Sequence, residues 1–185
     1  VATQMSLATT ALRPGYHPKF DNWTKVYLPY CTQDLGVGAI TKTYHEEDGS
    51  GERVMHHHGL KVQGAVLNWL KGNFEKPGQL LMTGQSAGGF GSELLYHTYR
   101  MTLEPSKGYM LNDAGPIMPA RQGADDSIYP SQHAHRTVTE AWDAYNFLNW
   151  MEEQSQTQGT TFDGQDMGTI SEFLSNYWDD DRFML

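Results

Sequence analysis

The feature that most constrains this chain is the turn Gly84-Gln85-Ser86-Ala87-Gly88, set between a short apolar run, Gln79–Thr83, and a segment of helical periodicity, SELLYHTYRM. A G-x-S-x-G pattern at a strand-to-helix junction bends the chain so sharply that the serine takes strained backbone angles. Small residues two before and two after it relieve the clash between strand and helix backbones. Gly84 and Gly88 supply that space, and Gly89 and Gly91 permit close packing of the helix. The turn lifts the Ser86 hydroxyl above the sheet edge at a helix N-terminus and points the Ala87 N–H toward the place where an oxyanion forms. A phosphate cradle would need a Lys-Ser/Thr ending, which this turn lacks.

The surrounding pattern supports that setting. Lys25–Tyr30, KVYLPY, is rich in aromatic and β-branched residues and reads as a strand. Cys31 to Gly51 reads as a long loop, of the kind that is often functional in a compact domain. Over Gly59–Trp69 and the next residue, Val62, Ala65, Val66, Trp69 and Leu70 share one helical face, which predicts an amphipathic helix on a sheet. Gln79–Thr83 predicts a buried parallel strand, Leu94, Leu95, Tyr99 and Met101 a helix stripe, and Gly108–Leu111 the next strand. Asp113–Gln132 reads as a Pro/Gly-rich loop. Thr137–Met151 reads as one helix with Trp142, Tyr145, Leu148 and Asn149 along one side, followed by a polar stretch over Glu152–Gln165. A last helix is expected around Thr169–Tyr177, and the apolar Phe183-Met184-Leu185 reads as a strand or loop cut short. Alternating strands and helices make this an α/β chain with a mostly parallel sheet and helices on both faces, in one domain over residues 1–185.

A serine hydroxyl near its free pKa is a weak nucleophile. Ser86 therefore needs a histidine to take its proton and an acid to orient that histidine, in the chain order Ser, Asp/Glu, His. Asp113 follows the next strand, and His133 or His135 follows it, so an in-chain triad is arithmetically available. The competing reading is structural and is favoured: Asp113 braces the loop Asn112–Pro116, and the two histidines are surface loop residues. Asp34, in the loop after the first strand, is a candidate pocket residue together with Gly88.

Other clusters point to structure. His56-His57-His58 and His133-Ala134-His135 lack a further ligand at a familiar spacing, so no metal is expected, and HHH before a helix suits capping and loop packing. Asp163-Gly164-Gln165-Asp166 lacks the alternating acids and terminal Glu of a calcium loop and reads as a turn with a helix cap, while Asp179-Asp180-Asp181-Arg182 reads as a solvated turn. A formal charge of −9 with no Lys/Arg cluster gives nucleic acid little to hold. Cys31 stands alone and cannot form a disulfide within the chain, and no run approaches eighteen apolar residues. Asn22-Trp23-Thr24 matches a glycosylation acceptor triplet.

The stretches WTKVYLPYCTQDLGVGA, HHHG ahead of AVLNWLKGNF, LLMTGQSAGGFG and LNDAGPIM, in that order over roughly residues 17–120, resemble the pectin acetylesterase and Notum family of carboxylesterases. A weaker echo runs through FDGQDMGTISEFL and DDDRFML. The resemblance implies an α/β-hydrolase-like fold, a secreted enzyme, and hydrolysis of an ester without a cofactor. The ester is an acetyl group on a polysaccharide or an acyl group on a lipidated protein. It carries the nucleophile onto Ser86 and one oxyanion donor onto the Ala87 N–H. In that family the catalytic Asp and His lie well downstream of the serine, and the Asp of the segment matched by Asp113 is not the triad acid. No Gly-Gly-aromatic segment, the family's source of further oxyanion donors, precedes Pro29. The expectation is a domain lacking its N- and C-terminal portions. The rival is a non-catalytic hydrolase-like module that binds a glycan or a protein.

Overall fold

The computed structural model describes residues 18–120, 125, 127–128 and 131–185. Most of the polar lead-in predicted over residues 1–22, and residues 121–124, 126 and 129–130 of the loop predicted over Asp113–Gln132, lie outside the described residues.

Two antiparallel strands, β1 (Ile40–His45) and β2 (Glu52–His57), form a hairpin that precedes helix α1 (Gly59–Asn73). Strand β3 (Gln79–Gln85), helix α2 (Ala87–Leu103) and strand β4 (Lys107–Asp113) follow. After a connection come α3 (Ser131–Arg136), a π-turn over Thr137–Ala141, α4 (Tyr145–Thr157), α5 (Ile170–Tyr177) and β5 (Arg182–Met184). β3, β4 and β5 form a parallel sheet in that order, with Gln79 opposite Lys107 and Tyr109 opposite Arg182. The protein is therefore of the α/β class. α2 lies against β3 and β4, and α1 and α5 pack on α2.

Local chemistry explains the elements. Along β4 every second residue is buried, Gly108, Met110 and Asn112, because strand side chains alternate and one face meets α2. β3 is only half-buried, since in the described sheet it has a neighbour on one side alone. α2 is almost wholly enclosed from Gly89 to His97, and the core is built around its Leu94, Leu95 and Tyr96 with Leu148, Met151, Phe173 and Leu174.

The structure corrects several sequence expectations. Lys25–Tyr30 is not a strand: no ladder partner meets it among the described residues, and Val26, Tyr27 and Tyr30 are exposed. β propensity measures fit to a pleated, half-buried surface, so it cannot make a strand without a neighbour. The supposed loop from Cys31 to Gly51 contains β1 and the tight connection Glu46–Gly51, with Gly49 at φ 72°. Asp48-Gly49 between two β-forming runs is the sequence signal for that hairpin.

The buried side of α1 is Gly59, Leu67 and their half-buried neighbours Leu60, Gln63, Val66 and Leu70. Val62 and Trp69 face outward, so the stripe is turned from the one predicted. Met101 likewise projects outward on α2. The helix predicted over Thr137–Met151 is broken. Trp142 N–H reaches back five residues to the Thr137 carbonyl, Asp143 takes φ 55°, and α4 starts afresh at Tyr145 with Phe147, Leu148 and Met151 inward. Tyr145 is exposed. Thr137 and Thr139 bond back to the carbonyls of His133 and His135, a habit of threonine that bends helices.

The Asp179–Arg182 segment is a solvated turn only in part. Asp181 is buried and accepts hydrogen bonds from Tyr96 Oη (2.8 Å), Arg100 Nε (2.7 Å) and Gly108 N–H (2.8 Å), fastening β5 to α2 and β4. Burial alone would raise this carboxyl, but the Arg100 guanidinium, the Gly108 amide and the Tyr96 hydroxyl outweigh it and hold it below the usual carboxylate range.

Candidate active site

Ser86 stands at the N-cap position of α2 with φ 53° and ψ −118°. A serine there ordinarily turns its hydroxyl back to accept from the helix's first free N–H groups. This one makes no such bond, because its backbone angles swing the side chain outward, and the residue is exposed. Holding a non-glycine residue at such angles costs about 1–3 kcal/mol and needs surroundings that enforce it. The hydroxyl is thus left free beside the N–H groups of the first helical turn, that of Ala87 first among them, where the helix dipole favours negative charge.

What enforces the turn is visible atom by atom. A methyl on Gly84 would lie 2.2 Å from the Gly88 carbonyl oxygen, so β3 and α2 can approach this closely only with glycine there. A methyl on Gly89 would meet Asn112 Oδ1 at 2.1 Å, and one on Gly91 the Leu35 carbonyl oxygen at 2.7 Å. Gly88 differs from the expectation: a methyl there meets open space, so the strand-to-helix clash is relieved at Gly84, and Gly88 forms exposed surface beside Ser86.

The loop after β4 closes on the serine from the other side. The Ser86 N–H donates to the Asp113 carbonyl (2.8 Å), and the Phe90 N–H donates to the Ser86 carbonyl (3.1 Å). Gly115 sits so close that a methyl there would lie 2.5 Å from the Ser86 carbonyl oxygen. Asn112 holds Gly115 by two bonds, Gly115 N–H to Oδ1 (2.9 Å) and Nδ2–H to the Gly115 carbonyl (2.7 Å). Its Nδ2 also donates to Glu93 Oε2 (2.7 Å), and Ser171 Oγ donates to Glu93 Oε1. Asn112 and Glu93 were not singled out from sequence. The available signal was a carboxylate placed seven residues after Ser86, directly before the apolar Leu94-Leu95-Tyr96 of the same helix.

The other predicted site residues are placed elsewhere. Asp113 meets Ser86 through its backbone carbonyl, and bracing of the loop falls to the Asn112 side chain. His135 is buried, with Nδ1 accepting from the Met167 N–H (3.1 Å) and Nε2 donating to the Met118 carbonyl (2.8 Å). Both ring nitrogens are engaged, which fixes a neutral tautomer and leaves none for Ser86. His133 is exposed and lines, with Tyr44, Arg53, Met55 and Trp142, a shallow groove of about 560 Å³ between the hairpin and the α3 region; Ser86 is not part of its lining. Among the described residues no histidine or carboxylate is hydrogen-bonded to the Ser86 hydroxyl.

Asp34 is fully buried rather than a pocket wall. It accepts from Thr32 Oγ1, the Gly36 N–H and the Gly59 N–H, the last at 2.8 Å, so it caps α1 from 25 residues upstream. Methyl groups on Gly38 or Gly59 would strike its carboxylate at 2.4 and 2.5 Å. The capping expected of the histidine run is therefore done by Asp34, while His58, at the N-cap, makes no cap bond. His57 is buried, donating from Nδ1 to the Thr32 carbonyl and accepting from the Tyr44 hydroxyl; His56 and His58 stack beside Thr41. Asp166 caps the turn before α5 by accepting from the Gly168 and Ala120 N–H groups. Among the described residues no three His, Cys, Asp or Glu side chains converge as metal ligands, and no helix is long and apolar enough to cross a membrane.

Comparison with known proteins gives a family for this arrangement. Neither the curated proteins nor the solved structures yield a match. The pectinacetylesterase family model, by contrast, matches residues 5–167, a span that contains the Ser86 turn, the helix behind it and the loop that clasps it. A match over most of the chain, centred on this strand-to-helix serine, means that the chain belongs to the pectinacetylesterase family.

Proposed function

We propose that this protein is a serine esterase that removes acetyl groups from a polysaccharide through an acyl-enzyme on Ser86. The reading is carried by one observation: a serine at a helix N-cap, strained to φ 53°, exposed and not used as a cap, within the span matched by an esterase family. In the reaction the Ser86 oxygen attacks the acetyl carbonyl as a histidine takes its proton. The tetrahedral oxyanion accepts from the Ala87 N–H, and collapse releases the sugar hydroxyl and leaves acetyl-Ser86. Water, activated by the same histidine, then releases acetate.

We assign the histidine and its acid partner to residues other than Asp113, His133 and His135: Asp113 meets Ser86 through its backbone carbonyl, both ring nitrogens of His135 are engaged elsewhere, and the groove lined by His133 does not include Ser86. The family membership supports an extracellular setting, where acetylated cell-wall glycans are found.

The test is fluorophosphonate labelling of the full-length protein, read by peptide mapping, together with acetate release from acetylated pectin. One adduct on Ser86, and loss of both signals in Ser86→Ala, is expected. A full-length protein that folds yet neither labels nor releases acetate would overturn the reading in favour of a glycan-binding module. Loss of labelling on His133→Ala would restore the in-chain triad.

A further inference from the structure

We infer that Glu93 and Asn112 are positioning residues for the Ser86 nucleophile, and that through Ser171 they tie its turn to α5; the inference rests on the serine-esterase reading above.

Glu93 is fully buried on α2, and among the described residues no cation forms a salt bridge with it. A buried carboxylate is expensive, and an apolar side chain in its place would ordinarily stabilise the fold as well or better. Burial pushes its pKa up against the two hydrogen bonds it accepts. Its contacts give the carboxylate a specific task. One oxygen accepts from Ser171 on α5 and the other from Asn112 Nδ2, which leaves the Asn112 amide one orientation. In that orientation the amide forms its two-bond ring with Gly115. Gly115 in turn lies beside the Ser86 carbonyl and the Phe90 N–H, the pair that forms the first hydrogen bond at the start of α2, so closely that a methyl on it would strike both.

The strain on the two sides is matched. Ser86 is held at φ 53°, and Ala114, between Asp113 and Gly115, is held at φ 59°. Both are non-glycine residues in a region that relaxes unless it is over-determined. The Asp113 carbonyl holds the Ser86 N–H from the strand side, and the Asn112–Gly115 ring lies against the Ser86 carbonyl from the helix side, with room there for glycine alone. Without the Glu93 anchor the amide can rotate, Ala114 can relax, and the serine loses the packing against its carbonyl that helps hold the backbone angles turning its hydroxyl outward. Glu93 touches no reacting atom. It acts through Asn112, so its removal should slow attack while leaving substrate binding largely intact.

The experiment measures the rate of fluorophosphonate reaction at Ser86, kcat and KM on an aryl acetate, and Tm, for full-length wild type, Glu93→Gln, Glu93→Leu, Asn112→Ala and Ser171→Ala. Glutamine can accept from Asn112 with its oxygen and donate to Ser171 with its nitrogen. Glu93→Gln should therefore keep the rate within about threefold of wild type, while Glu93→Leu and Asn112→Ala lose about tenfold to a hundredfold in kcat with little change in KM. The combination of unchanged or raised Tm with a slowed serine in Glu93→Leu separates positioning from mere support. Wild-type rates in folded Glu93→Leu and Asn112→Ala would overturn the inference. If those two fail to fold, Ser171→Ala decides: a slowed serine sustains the inference and an unchanged one removes it. Absence of labelling in wild type sinks the esterase reading itself, and so is distinguishable from either result.

Discussion

The two ends of α2 are built on opposite principles. At its N-terminal end the helix carries Ser86, Gly88, Gly89 and Gly91, a strained backbone and a hydrogen-bonded clasp, with Ser86 exposed. At its C-terminal end it carries Tyr96, His97, Tyr99 and Arg100, all large and mostly buried. Arg100 stacks 4.5 Å over the Trp178 ring centroid and pairs with Asp181, and His97 is ringed by Trp150, Phe173, Tyr177 and Trp178. One end stores strain and exposes the Ser86 hydroxyl, and the other supplies the packing that anchors the helix against that strain. Disturbing the anchored end should change stability and leave reactivity alone, whereas disturbing the clasp at the strained end should change reactivity, with or without a change in stability.

The largest stability effect is expected at the anchored end. Asp181→Asn leaves the Arg100 guanidinium, only 13% exposed, without its counter-charge and should cost about 3–5 kcal/mol in chemical denaturation. The labelling rate of Ser86 in the fraction that remains folded should match wild type; a slower serine would show that the two ends are not separable. Gly84→Ala is next. Its methyl would meet the Gly88 carbonyl, which cannot move away as a flexible side chain could, and about 3 kcal/mol with a strongly slowed serine is expected from denaturation and labelling together.

A smaller, pH-dependent effect tests the aromatic ring. Burial pulls His97 down to about 4 from its ordinary 6.5, with Nδ1 accepting from the Trp178 indole N–H and Nε2 without a partner. Above pH 6.5 the imidazole is neutral in both folded and unfolded chains and contributes no slope. As pH falls from 6.5 toward 4 the unfolded chain takes up the proton first, so stability drops, by about 3 kcal/mol at most. Glu93, with its raised carboxyl, acts in the opposite sense, losing stability as pH rises above its ordinary 4.5. The difference between wild type and His97→Gln therefore isolates the histidine, and parallel stability curves for the two would contradict its buried neutral state. The smallest effect is at Gly88, where a methyl meets open space: Gly88→Ala should change stability by less than about 1 kcal/mol, in the stabilising direction, by thermal unfolding.

Some of this was legible in the chain and some was not, for reasons visible in particular residues. The strand, turn and helix around Ser86 could be read because glycine spacing and apolar periodicity are local properties and the turn tolerates few alternatives. Lys25–Tyr30 looked like a strand and is not, since a strand exists only with a neighbour. The face of α1 was misplaced because Val62 and Trp69 are apolar yet lie outside, where nothing in the helix itself forbids them. Asp181, in a run of four charged residues, gave no hint that it alone is buried. His133 and His135 were equivalent as a sequence pair, and only the Met118 carbonyl and the Met167 amide show that His135 has both nitrogens taken.

By itself, then, the sequence determined the parallel α/β order, the strand-to-helix turn at Ser86 and the family to which it points, because each depends on residues adjacent in the chain. Which carboxylates are braces, which histidines are locked and what holds Ser86 in its strained conformation were decided only by tertiary structure. Those roles depend on bonds between residues as far apart as Asp34 and Gly59, Glu93 and Ser171, or Arg100 and Asp181. A polar side chain's role is set by the partner that satisfies it when water is excluded, and that partner is chosen by the fold.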